Sequence, residues 1–197
     1  MRIISGLARG TRLEAPPGQG VRPTADRVRE SLFSMLGDLT GWCVVDLFAG
    51  AGCLGLEALS RGAERVVFVE NDRRHARVLQ RNLAAVLRAM GSLGEGEAQA
   101  QVLVADVRQA PSRLRELAGR VDLVLADPPY RSAAGWGAAE LLGDPHLAAW
   151  AETALLVLEH ESEAALPWAP DSPWSPLRVR RYGSTTLSLA RVAEPEP

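Results

Sequence analysis

The chain has 197 residues and no lysine; all 22 basic residues are arginine, against 24 acidic ones, for a formal net charge of -2. That balance argues against a protein that coats polyanions indiscriminately. Arginine reads phosphate and stacks on bases, but complete replacement of lysine is also what a GC-rich genome produces, so the bias alone names no partner. Cysteine is almost missing. Cys43 and Cys53 have no metal-ligand spacing, and a reduced, cytoplasmic chain is the simplest expectation. The histidines His75, His146 and His160 are too scattered to assemble a metal site or a catalytic triad, so no metal is expected. No apolar run is long enough to span a bilayer and no signal peptide is recognisable, which leaves no membrane partner. What is present is 47% hydrophobic content in a length that suits one ordinary enzyme domain, expected to be a monomer.

The chemistry concentrates in Val121–Tyr130, Val-Asp-Leu-Val-Leu-Ala-Asp-Pro-Pro-Tyr. Val121, Leu123, Val124, Leu125 and Ala126 read as a strand buried on both faces. Asp127 falls at its carboxyl end, where open α/β sheets place their ligands. Pro128 and Pro129 fix φ and donate no N–H, so the turn leading to Tyr130 is stiff. Such a turn suits the exocyclic amine of a planar base. The Asp127 carboxylate and the Pro128 carbonyl would each accept one N–H, holding the nitrogen nearly tetrahedral with its lone pair aimed at an electrophile. Asp127 would stabilise the positive charge developing there, and Tyr130 would stack on the base. A strand followed by an ordinary surface turn reads the same way.

A second constellation lies upstream. Val44–Phe48 is an apolar strand, followed by Ala49-Gly-Ala-Gly-Cys-Leu-Gly and a helix to about Ser60, and Gly50, Gly52 and Gly55 satisfy Gly-x-Gly-x-x-Gly. Glu70 ends the next strand, Val66–Val69, at the spacing where an acid grips an adenosine ribose. A nucleoside cofactor follows. Asp46, at the strand end, would repel a pyrophosphate but welcome the cationic amino group of a methionine tail, so S-adenosylmethionine fits better than NAD. Asp72 caps a long helix with Ala76, Leu79, Leu83, Val86, Leu87 and Met90 toward the sheet. The stretch from Gly91 to Ala100 reads as a loop. Val102–Ala105 is another strand ending in Asp106, which would accept the adenine amino group while Val107 lines the ring. Alternatively, Asp106 only caps a helix over Pro111–Leu117.

The ends of the chain differ in character. Arg2–Ser5 and Thr11–Ala15 read as strands of a hairpin appendage, residues 1–20, ahead of a main domain, residues 21–197. Up to Glu30 the chain carries Arg2, Arg9, Arg12, Arg22, Arg27 and Arg29 against Glu14, Asp26 and Glu30. This arm is a clamp for a nucleic-acid backbone, with Arg2, Arg9, Arg12 and Arg22 as its contacts, or a solvated hairpin covering a sheet edge. Thr24 is placed to cap a helix that Gly37 ends. Beyond Tyr130, Arg131–Gly137 suits a closing loop in which Trp136 stacks or packs. A helix over Ala138–Trp150, a strand over Leu155–Leu158 and a final hairpin of Arg178–Tyr182 with Thr185–Ala190 complete the chain.

Together, Met1-Arg-Ile-Ile-Ser-Gly, Arg22-Pro-Thr-Ala-Asp-Arg-Val-Arg-Glu, Asp46-Leu-Phe-Ala-Gly-Ala-Gly, Glu57-Ala-Leu-Ser-Arg-Gly-Ala and Asp127-Pro-Pro-Tyr resemble the bacterial 16S ribosomal RNA guanine-N2 methyltransferases of the RsmD type. Ala51 and Cys53 stand where that family leads one to expect Ser and Ala, both small changes. The resemblance implies an α/β, Rossmann-like class I methyltransferase fold: a seven-stranded, mostly parallel sheet with its last strand antiparallel, carrying the N-terminal hairpin. It implies S-adenosylmethionine as donor, and as substrate the N2 amine of a 16S ribosomal RNA guanine in the small ribosomal subunit. Asp46, Phe48, Gly50, Gly52, Glu70 and Asp106 would bind the cofactor, and Asp127, Pro128, Pro129 and Tyr130 would hold the amine. The base would be flipped out to reach them. Amino methylation of adenine in DNA or of a protein glutamine, a non-catalytic RNA-binding assembly factor and a NAD-dependent dehydrogenase are the competing readings.

Overall fold

Alternating buried strands and one-sided helices predict parallel β-α-β units, and the first half of the chain forms them. The computed structural model describes residues 1–15, 23–91, 99–129 and 136–193, with backbone alone at 23–25. Two units emerge, Met1–Val107 and Arg108–Pro197. The first contains α1 (Pro23–Leu36), β1 (Cys43–Leu47), α2 (Cys53–Ser60), β2 (Arg65–Glu70), α3 (Arg73–Met90) and β3 (Gln99–Val104). β2 lies between β1 and β3, parallel to both. Val44, Val45, Leu47 and Val66 through Val69 are fully buried, as strands covered on both faces require. β3 starts at Gln99, ahead of the apolar run at Val102, because its ladder to β2 runs on through the polar Gln99 and Gln101.

The helix boundaries follow local chemistry. The Asp72 carboxylate accepts the N–H groups of Arg74 at 2.6 Å and His75 at 3.3 Å, capping α3 as its position predicts. Helix α1 begins at Pro23, so Thr24 lies inside it and is not its cap. Gly37, at φ +77°, closes that helix through its N–H to the Phe33 carbonyl.

The arm is not the predicted pair of strands. A single antiparallel bridge joins Arg2 to Arg12, flanked by cross-arm bonds from the Ile3 N–H to the Thr11 carbonyl, Gly10 to Ile3 and Leu13 to Met1, while the amides of Ile4, Ser5, Leu7 and Ala8 turn to α2. Glu57 on α2, with no exposed surface, accepts the N–H groups of Ile4 at 2.8 Å and Ser5 at 3.0 Å and the Arg61 Nε–H at 2.8 Å. Arg29 Nε lies 3.9 Å from the same carboxylate. Leu7 donates to the Ser60 carbonyl at 2.7 Å and Ala8 to the Ser60 hydroxyl at 2.9 Å. A buried carboxylate is a stronger acceptor than a strand carbonyl, so Glu57 wins the Ile4 and Ser5 amides from a hairpin ladder. The arm is therefore fastened to α2 through Glu57 and Ser60. Gly6, at φ +85°, allows the approach: a Cβ there would stand 1.8 Å from the Ser60 carbonyl oxygen.

The second unit contains α4 (Ala110–Arg113), β4 (Leu123–Ala126), α5 (Ala138–Leu142), α6 (Pro145–Trp150), β5 (Leu155–Glu161), β6 (Trp174–Tyr182) and β7 (Thr185–Val192). β4 and β5 are parallel, and β7, the second strand of the predicted final hairpin, lies antiparallel between β5 and β6. The helix expected over Pro111–Leu117 is reduced to α4 between two 3-10 turns. The one expected over Ala138–Trp150 is divided. Pro145 cannot continue α5, and the Asp144 carboxylate caps α6 by accepting from His146 at 2.8 Å and Leu147 at 3.3 Å. β6 pairs with β7 alone among the described strands; Leu177 and Val179 are 60% and 49% exposed, and Arg178, Arg180 and Arg181 are exposed beside them. Fully buried Trp174 anchors its start.

Replacing Glu57 by Gln leaves Arg29 and Arg61 without the buried charge they face, and we expect a loss of about 3 kcal/mol. Urea unfolding of the purified variant measures it; an unchanged midpoint would mean that the arm is held elsewhere.

Candidate active site

The glycine turn between β1 and α2 is built by three glycines with different causes. Gly50 and Gly52 have φ of +56° and +86°, a left-handed path that glycine takes without strain, and Phe48 joins it at φ +58°, where a side chain is unusual. A Cβ on Gly52 would stand 2.2 Å from Leu79 Cδ1, and one on Gly55 2.3 Å from Phe68 Cε1. At Gly50 only the Phe48 carbonyl comes near, at 3.9 Å, so its backbone borders open space. The turn can cradle a ligand there.

Two buried carboxylates hold this turn. Asp46 is 2% exposed, and its Oδ2 accepts the Gly55 N–H at 2.8 Å, in the first turn of α2. Glu70 is 8% exposed and accepts Gly50 N–H at 2.7 Å through Oε2 and Asp72 N–H at 2.7 Å through Oε1. Each carboxylate oxygen has a second lone pair, so Glu70 can hold the turn and receive two hydroxyls of a ribose as well. The Ala105 N–H donates to the Glu70 carbonyl at 3.1 Å, which brings half-buried Asp106 and buried Val107 beside the end of β2. Asp46, Phe48, Gly50, Gly52, Glu70, Asp106 and Val107 thus share the carboxyl edge of β1, β2 and β3. Two acids beside the turn disfavour a pyrophosphate.

In the second unit, fully buried Leu123–Ala126 deliver Asp127 to the surface, with Pro128 buried and Pro129 exposed. A cavity of about 290 Å³ opens beside them, lined by Pro128, Pro129, Glu140, His160, Glu161 and Leu166 among others. Glu140 braces its rim by accepting the Gly137 N–H at 2.8 Å. Tyr130, the loop through residue 135 and Arg22 lie outside the described residues; Trp136 is half-buried. His160, given no role from the sequence, is locked. Its Nδ1 lies 2.8 Å from the Glu161 carbonyl, which can only accept, so Nδ1 carries the proton and Nε2 accepts the Ser188 hydroxyl at 2.9 Å. Burial pushes the imidazole below its ordinary value of 6.5.

The arm places Arg2 and Arg9 on a recess of about 360 Å³ shared with Arg27, Asp26 and Glu30. Arg12 is exposed as well. Arg29 is not part of that basic surface: it is 4% exposed and donates to the Arg2 carbonyl at 2.6 Å and to Asp26 at 3.1 Å. The Cys53 thiol is pushed up to about 11 by burial, which keeps it neutral and a poor nucleophile.

The neutral His160 carries a pH dependence. The unfolded chain takes up a proton near 6.5 that the folded chain refuses, so stability is full above that value and falls as pH drops below it. His160→Gln should show a smaller decline in melting temperature between about pH 7.5 and 5.5 than the parent chain. Equal declines would assign the pH dependence to other groups.

Residues 1–191 match the family described as conserved hypothetical protein 95. The ribosomal RNA small subunit methyltransferase D of Escherichia coli K12 is 38% identical over 192 residues, 96% of this chain and 88% of that protein. Its counterpart in Haemophilus influenzae is 33% identical over 191 residues, 96% of this chain and 92% of that protein. The solved structure of the Escherichia coli protein yhhF superposes with a TM-score of 0.70 at 35% identity, covering 98% of this chain and 99% of that one. The seven strands, with only β7 running against its partners, thus form the class I methyltransferase fold. By full-length similarity the chain belongs to the conserved hypothetical protein 95 family, that of the RsmD-type ribosomal RNA methyltransferases.

Proposed function

We propose that this protein transfers a methyl group from S-adenosylmethionine to the exocyclic N2 amine of a guanine in 16S ribosomal RNA, with the small ribosomal subunit as its partner. The observation that carries the reading is the Asp127-Pro128-Pro129 turn, with Asp127 and Pro129 exposed, at the end of a fully buried strand and beside a cavity. Relatives over nearly the whole chain are named for ribosomal RNA methylation, and they supply the substrate class.

The cofactor fits the residues present. Gly50 offers open backbone, Glu70 has lone pairs to spare for a ribose, and Asp46 favours a cationic tail. Asp106 would take the adenine amine and Val107 its ring, with Phe48 and Gly52 shaping the bend. When bound, S-adenosylmethionine supplies a methyl group activated by its sulfonium. The chain's own work lies at the amine. An aryl amine is a poor nucleophile because its lone pair is delocalised into the ring, and acceptors at both N–H bonds draw that lone pair out of conjugation. The Asp127 carboxylate and the Pro128 carbonyl are those acceptors. Pro128 has no N–H to spend on a competing bond, and Pro129 stiffens the turn. As the nitrogen turns positive, Asp127 stabilises it electrostatically. Tyr130 would stack on the flipped base, while Arg2, Arg9, Arg12 and Arg22 would hold the RNA backbone.

Asp127→Ala should keep the affinity for S-adenosylhomocysteine and lower the methylation rate about 10²- to 10³-fold. Calorimetry and single-turnover methylation separate the two quantities; undiminished turnover would remove Asp127 from the reaction. Nucleoside mass spectrometry after incubation with labelled S-adenosylmethionine identifies the base. Label in N2-methylguanosine from small subunits or naked 16S RNA is the expected result. Label in N6-methyladenine from DNA would overturn the substrate while keeping the amine chemistry.

A further inference from the structure

The arginine-bearing arm and the glycine turn meet at one side chain. Asn82, on the buried face of α3, is 2% exposed. Its Oδ1 accepts the Glu14 N–H at 2.8 Å, and its Nδ2 donates to the Glu14 carbonyl at 3.0 Å and to the Ala51 carbonyl at 2.9 Å. Glu14 stands on the arm two positions after Arg12, and Ala51 lies between Gly50 and Gly52. Only an amide serves both ends. Clasping the backbone of one residue takes an acceptor and a donor, and the second N–H remains for the turn. A further contact runs alongside: Met1 Sδ lies 3.3 Å from Cys53 Sγ, at the first residue of α2. Within the described residues, α3 thus reaches the turn twice, through Asn82 and through Leu79 packed against Gly52.

We infer that Asn82 is a positioning residue that couples the arm to the cofactor turn, so that RNA bound along Arg2, Arg9 and Arg12 tightens cofactor binding and the cofactor tightens RNA binding by the same factor. By fixing the Ala51 carbonyl, Asn82 orients the peptide groups on either side of it, those of Gly50 and Gly52. Ordering the arm therefore orders the turn. This rests on the reading that the turn takes S-adenosylmethionine and the arm takes RNA.

The test is calorimetric titration of S-adenosylhomocysteine into the full chain, with and without saturating unmodified 16S RNA, for the parent, Asn82→Asp and Glu14→Ala. Asn82→Asp keeps the size and one acceptor but loses both donated bonds. Glu14→Ala loses the exposed pair with Arg81 and keeps the backbone groups that Asn82 clasps. RNA should lower the dissociation constant at least about fivefold in the parent and in Glu14→Ala, and less than about twofold in Asn82→Asp. A purely structural role would lower the melting temperature of Asn82→Asp and leave the RNA effect intact. That outcome, or no RNA effect in the parent, overturns the coupling. Failure of the parent to bind S-adenosylhomocysteine, or RNA, overturns instead the reading beneath it. Should Asn82→Asp not fold, hydrogen exchange on the parent decides: S-adenosylhomocysteine should slow exchange at the Glu14 amide, and an unchanged rate overturns the proposal.

Discussion

A carboxylate withdrawn from water must find donors or give up its charge, and in the first unit that demand is met three times by the backbone. Glu57 gathers the arm amides of Ile4 and Ser5, Asp46 gathers Gly55, and Glu70 gathers Gly50 and Asp72. Each acid lies between 0% and 8% exposed. The chain paths that look most irregular, the arm and the glycine turn, are the ones these acids organise. Along each path the amides that these acids take, those of Ile4, Ser5 and Gly50, are lost to any regular ladder. The constraint is strict, since an amide pulled from such an acceptor leaves a buried charge short of a partner.

The same residue type does opposite work in the second unit. Asp127 is delivered by a strand as buried as β1, yet it lies at the surface next to a residue that has no N–H to offer. Burial separates the acids that shape the protein from the one that our proposal assigns to the substrate amine. Gly50 makes the matching distinction among the glycines. Gly52 and Gly55 are small because neighbouring side chains press on them, whereas the space beside Gly50 is open.

Much of this was legible in the residues. β1, β2 and β4 are continuous apolar runs, Asp72 precedes its helix by the usual spacing, and Gly183 stands in the turn of the last hairpin, all local signals. The partners of the arm were not legible, because Ile4 with Glu57 and Glu14 with Asn82 are separated by 53 and 68 positions. A hint existed at Asn82: an amide among Ala76, Val78, Leu79 and Val86 on one helical face is a buried polar group seeking partners. Pro145 is likewise a local mark of the division between α5 and α6, because it cannot continue a helix from Leu142. His160 gave no signal, since its burial depends on β7 closing beside it.

The outer strand β6 carries its own safeguard. Two copies meeting edge to edge would bring Arg178 and Arg180 on one face and Arg181 on the other toward arginines of the second copy, across strands about 5 Å apart. Pro176 interrupts the donors along the same strand. Repulsion between these arginines reaches only about 8 Å at physiological ionic strength and fades in concentrated salt, but a missing N–H is indifferent to salt. Edge-to-edge pairing at β6 would thus meet one obstacle that concentrated salt weakens and one that it does not.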